Sequence, residues 1–239
     1  MPIKRTYASF DDACSTAHAF DVIGDHWASL VVRELLLGPK RYNDLVASLP
    51  GVSSAILTAR LRQLVRDGVV RRETLPAPSR VAVYELTEWG AQLEPILQDL
   101  ARWAVTSPNP RGTCLTPDAV ILAMRALAPA DANPGVRIAF TIWDQRVGRD
   151  RAVDYRVTWD ESGLTAERGS LPDPDAAVAV ESTAWAWLQV GVTDLTSAEG
   201  SGELRIDGDR AAVERLIVAV ASSPLLSRLR ESAETKNAH

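Results

Sequence analysis

Through the first hundred residues the apolar positions recur every three to four residues in short blocks, each closed by glycine or proline. Residues 13–23 (ACSTAHAFDVI) predict a short helix stopped by Gly24. Residues 26–37 (HWASLVVRELLL) predict a second, ended by Gly38 and Pro39: a glycine past the last turn, then a proline that cannot extend it. Residues 41–49 predict a third, closed by Pro50 and Gly51. Ser53 or Ser54 caps a fourth, since a serine oxygen accepts from exposed first-turn amides, and Gly68 stops it after Asp67. This fourth helix carries Leu57, Leu61 and Leu64 on one stripe and Ser54, Ala55, Thr58 and Arg62 on the other side. The period then shortens to two, and residues 69–75 and 80–86 predict strands joined by a turn at 76–79. Thr87 caps one helix over 88–105, with a kink expected at Pro95.

Helix, helix, helix–turn–helix, hairpin, helix is the order of a winged helix-turn-helix, in which the second helix of the pair enters the DNA major groove and the hairpin forms the wing. A turn-rich stretch at 107–113 follows, and beyond it the pattern differs. Thr116, Pro117 and Asp118 open a helix to about Ala128, by a threonine cap, a first-turn proline and an acid at the positive dipole end. Strands are predicted at 136–143, 151–159, 163–168 and 176–181, then a helix over 182–192 and a strand and turn over 202–209. Asp209 caps a closing helix to about Ala221, and residues 232–239 read as frayed. The fold class is therefore α+β: a winged helix-turn-helix over 1–106, a linker at 107–114, and an α+β domain with a mostly antiparallel sheet over 115–232.

Net charge changes this picture only when divided. The 239 residues carry 26 basic and 31 acidic side chains, net −5, which taken whole argues against a nucleic-acid partner. Residues 1–105 hold 12 of each, but residues 33–80 hold nine basic and four acidic, so the positive charge sits on the proposed reading unit. No apolar run reaches the roughly 20 residues that span a bilayer, and no secretory pattern opens the chain, so a cytoplasmic location is expected. Two cysteines, Cys14 and Cys114, do not make a disulfide framework. Walker, dinucleotide-binding, zincin, C-x-x-C and nucleophile-elbow signatures are missing, so no catalytic residue, metal or cofactor is expected and the chain reads as a non-enzyme.

One dense set of residues carries a family resemblance: Cys14; Val22 to Trp27 (VIGDHW); Arg33, Glu34 and Leu35; Gly38 to Tyr42 (GPKRY); Leu45; Leu49 to Ser53 (LPGVS); Leu57 and Thr58; Arg60, Leu61 and Leu64; Asp67 and Gly68; Val81, Tyr84, Leu86, Thr87, Glu88, Gly90 and Trp103. In these the first half resembles the HxlR family of bacterial winged-helix repressors and activators, with Tyr42 where the family usually has phenylalanine. The resemblance implies a homodimer, its N- and C-terminal helices packed together, reading a two-fold operator in double-stranded DNA. The second half resembles the sterol-carrier type of lipid-binding domain, through Ala184 to Trp187 (AWAW), Gly191, and Gly200 to Asp209 (GSGELRIDGD). That class encloses an apolar tunnel between sheet and helices, so the resemblance implies a cavity but not its ligand; an apolar small-molecule effector is the candidate occupant.

The candidate DNA contacts are Ser53, Ser54, Thr58 and Arg62 on the recognition helix, Lys40 and Arg41 at a helix start facing phosphate, and Arg72 and Arg80 on the wing. Arg71 alternates with Arg72 along a strand, so only one faces DNA, and Arg60 falls beside the buried stripe as an ion-pair partner. Trp143, Trp159, Trp185, Trp187 and Leu188 are the candidate pocket lining; Trp185 and Trp187, two apart on a helix, cannot point the same way. Cys14, with His18 four residues on, is a candidate thiol sensor in an alternative, redox- or electrophile-controlled regulator. A lipid carrier is the other alternative.

Overall fold

The computed structural model describes residues 13–76, 80–107 and 114–227. The predicted turn residues 77–79, linker residues 108–113 and the frayed end at 232–239 lie outside the described residues. The chain divides into two compact units, Met1–Pro95 and Ile96–His239.

Unit 1 runs α1 (Ser15–Ile23), α2 (His26–Leu35), α3 (Tyr42–Ser48), α4 (Ser54–Arg66), β1 (Val70–Thr74), β2 (Ala82–Leu86) and α5 (Glu88–Ala91). Side-chain caps set the starts. Asp25 accepts from the amides of Trp27 and Ala28, Ser53 from Ile56, and Thr87 from Gly90, each quenching first-turn donors that have no partner inside the helix. The core is small and aliphatic. Ala28, Val31, Val32 and Leu35 of α2 lie buried with Leu45, Leu49, Leu57, Leu61, Leu64 and Val83. β1 and β2 pair antiparallel from Val70↔Leu86 to Thr74↔Ala82, and Lys40 adds a bridge to Tyr84 on the free side of β2.

The helix expected over 88–105 is two helices. α5 ends at Ala91, and α6 (Leu93–Val105) begins after Gln92. Pro95 therefore sits in the first turn of α6, where its missing N–H costs nothing, instead of kinking a continuous helix. Gly90 explains why α5 lies where it does. A Cβ there would stand 2.1 Å from the Val69 carbonyl oxygen, so only glycine lets the helix press on the start of β1.

Unit 2 contains most of α6, then α7 (Pro117–Leu127), β3 (Val136–Trp143), β4 (Val153–Asp160), β5 (Gly163–Arg168), β6 (Ala176–Glu181), α8 (Ser182–Val190), α9 (Leu195–Gly200), β7 (Leu204–Gly208) and α10 (Arg210–Ala221). Its five strands stand in the order β5-β4-β3-β6-β7, antiparallel except for the parallel pair β3/β6. Val136, Ile138, Phe140 and Ile142 alternate inward along β3 and meet Tyr155, Val157 and Trp159 of β4 and Val178 and Val180 of β6 in the core. α10 packs on β3 and β6, and α7 on β5. α7 is pinned by a buried carboxylate: Asp118 accepts from Tyr155 Oη at 2.6 Å and is ion-paired to Arg168. α8 stops two residues earlier than expected because Gly191 takes a left-handed φ of 72°. α9 and a single 3₁₀ turn at Arg149–Arg151 are additions to the predicted elements.

Candidate nucleic-acid interface

α3 and α4 form the helix–turn–helix pair, and Tyr42 ties them. Its hydroxyl donates to the Ser54 carbonyl at 3.1 Å and lies 3.3 Å from the Thr58 hydroxyl. Thr58 is consequently half-buried on the flank of α4 and already engaged, which makes it a strut of the motif and not part of the open face. With Leu57, Leu61 and Leu64 pointing in, the row diametrically opposite is Ala55, Ala59, Arg62 and Arg66, all exposed and spaced four, three and four residues apart. Two alanines leave room for close approach, and two guanidiniums follow them. Ser53 and Ser54 are exposed at the same end, with the Ser53 oxygen serving as the cap.

The nine cations between residues 33 and 80 separate into two groups. Arg33 and Lys40 both bind Glu34, a fully buried carboxylate of α2. Lys40 Nζ also lies 2.9 Å from Ser48 Oγ, and the residue is buried. The expectation that Lys40 faces phosphate is thus corrected: pairing with Tyr84 turns it inward, and its ammonium neutralises Glu34 beneath α3. Arg60 pairs with Asp25 at 3.3 Å, the structural role expected of it. Arg71 is held by Glu85 at 2.7 Å, a hydrogen bond that keeps its guanidinium pKa above the usual value. The other five, Arg41, Arg62, Arg66, Arg72 and Arg80, are exposed and enter no ion pair among the described residues. Arg41 sits at the cap of α3, its backbone N–H donating to Asp44 at 3.2 Å. Arg72 stands on the opposite face of β1 from Arg71, and Arg80, at φ 38°, follows the wing tip.

The model of the HxlR-like helix-turn-helix matches residues 22–110. The HTH-type transcriptional regulator YvaP of Bacillus subtilis is 38% identical over 93 residues, which are 38% of this chain and 85% of that protein. The chain belongs to the HxlR-like helix-turn-helix family. YodB, another HTH-type transcriptional regulator of Bacillus subtilis, is 34% identical over 86 residues, covering 36% of this chain and 77% of that protein. Among solved structures, the reduced form of YodB is similar at 30% identity over 42% of this chain and all of that one, with a TM-score of 0.38.

The HxlR-like match holds the helix–turn–helix, the wing and these five arginines, Arg41, Arg62, Arg66, Arg72 and Arg80. Of these, Arg66 was missed by sequence reasoning. The signal was present, since Arg66 lies four residues after Arg62 and extends the same face. Most of unit 2 lies beyond the match. There a cleft of about 430 Å³ opens between α8, α9 and α10, with Leu188, Leu195, Ile217 and Val218 as its apolar wall. Of the predicted lining, only Leu188 reaches it. Trp159 and Trp185 are fully buried core residues, Trp185 stacking edge-on with Phe140 at 4.7 Å. Trp143 is buried beneath the Arg149 guanidinium, 4.3 Å from its ring centre, and Trp187 faces out at 39% exposure. No helix among the described residues is long and apolar enough to cross a membrane.

Proposed function

We propose that this chain is a sequence-specific transcriptional regulator that binds double-stranded DNA as a homodimer, with α4 in the major groove and β1–β2 as a wing on the adjacent backbone. The observation that carries the reading is the exposed row Ala55, Ala59, Arg62 and Arg66 opposite the buried leucines of α4. Arg62 is assigned to base edges, and Arg41, Arg72 and Arg80 to phosphates or the minor groove. Homodimerisation is supported by apolar surface left open on two helices: Phe20 of α1, and Ile96, Leu100 and Trp103, one stripe on α6. Unit 2 is read as the effector-binding half, sterol-carrier-like in its mostly antiparallel sheet and closing helix. The cleft among α8, α9 and α10 lies between helices.

The test is operator binding across salt concentrations. Arg41→Ala is expected to weaken binding to every DNA alike and to lower the salt slope by about 1. Arg62→Ala is expected to alter preference among operator variants by about 1–3 kcal/mol. Unchanged binding in both variants would mean that α4 reads no DNA. A second reading, thiol control, rests on Cys14, which is exposed at the cap of α1. An oxidant response identical in wild type and Cys14→Ser removes it.

A further inference from the structure

The charges around the cleft of unit 2 are unbalanced. Its lining includes Asp194, Arg210 and Glu214. Arg210 is not available to an anion, because its guanidinium binds Glu199 at 2.7 Å and Glu214 at 3.3 Å. Asp194 is exposed, and the Ser197 N–H at 2.8 Å and hydroxyl at 3.1 Å hold its carboxyl below the usual range, so it stays ionised at neutral pH. The lining thus sets two carboxylates, Asp194 and Glu214, against one guanidinium that is already paired, beside an apolar wall on which Val218 is 68% exposed. A volume of about 430 Å³ holds a small organic molecule. An anion would meet net negative charge here, whereas a cation would meet Asp194 and Glu214 among the lining residues.

We propose that the cleft between α8, α9 and α10 binds a lipophilic organic cation, an aromatic or alkyl ammonium or phosphonium, with its body on Leu188, Leu195 and Ile217 and its charge against Asp194 and Glu214. This deepens, and rests on, the reading of unit 2 as the effector-binding half. The probe pair is tetraphenylphosphonium and tetraphenylborate, equal in shape and opposite in charge, titrated calorimetrically into the full-length protein. Phosphonium binding without borate binding is expected. Asp194→Asn, which keeps the α9 cap because asparagine caps as well as aspartate, is expected to weaken phosphonium about fivefold. Ile217→Trp is expected to abolish binding by filling the cleft, with the thermal melt confirming the fold.

Equal binding of both ions, or an unchanged affinity in Asp194→Asn, overturns the proposal. So does an Ile217→Trp variant that shifts the sedimentation coefficient while the wild type ignores phosphonium, since the cleft is then a contact between copies. Operator affinity, measured separately, keeps the two readings apart. Phosphonium bound with operator affinity unchanged supports the site and removes effector control through it. Operator release by a neutral apolar compound with no phosphonium bound overturns the site and leaves effector control standing.

Discussion

Lys40 and Arg41 are neighbours in sequence, yet the Lys40 backbone pairs with Tyr84 and sends its side chain inward to Glu34, while Arg41 caps α3 from the exposed side. Lys40→Ala removes a buried cation paired with the fully buried Glu34 carboxylate, and a loss of about 3 kcal/mol is expected by chemical denaturation. Arg41→Ala is expected to stay within about 0.5 kcal/mol of wild type in the same measurement. Equal effects would mean that the Glu34 site tolerates water. The contrast also marks what a sequence tells about single residues. Leucine spacing oriented α4, so Arg62 was legible as exposed. The partner of a cation was not, because Glu34 reaches Lys40 only after α2, α3 and β2 have come together. Thr58 shows the same limit. Its side of the helix was right to within one turn position, but Tyr42, sixteen residues away, takes its hydroxyl.

At the scale of elements, the strongly periodic helices and every strand of the sheet were legible, since burial of one face imposes the period directly. The helix break at Gln92 was not. α5 is a single turn held by the Thr87 cap and by the close approach of Gly90 to Val69, a long-range contact with no local period. α9, six residues long around a buried Ala198, is too short to display a stripe. Gly90→Ala tests the packing. Forcing a methyl against the Val69 carbonyl is expected to cost about 3 kcal/mol and to loosen the β1–β2 ladder, seen as faster amide exchange in β1 and β2 than in α2. A variant with wild-type stability would mean that α5 can shift away from β1 at no cost.

For the whole molecule, a net charge of −5 coexists with five exposed arginines that enter no ion pair among the described residues of one unit, because the acidic excess belongs to residues 106–239 and because other cations of unit 1 are consumed in internal pairs. The α6 stripe supplies the test of assembly. Trp103→Glu, at a residue 76% exposed, is expected to leave the fold intact, convert a dimer to monomer by sedimentation, and cost most of the operator affinity. A monomeric wild type would remove the dimer from the proposal. The parallel pair β3/β6 bears on how such a chain matures. Ile138 meets Ala176, 38 residues later, and β3 is the central strand, so the sheet stays open on one side until β6 has been made and has docked. In unit 1 only seven residues separate β1 from β2, with Thr74 opposite Ala82. Nearby partners close quickly and distant ones slowly, so refolding is expected in two phases, the slower one carrying the tryptophan signal of unit 2, and a single phase would count against this order. On a ribosome the reading head would stand complete while the domain proposed to govern it is still a half-built sheet.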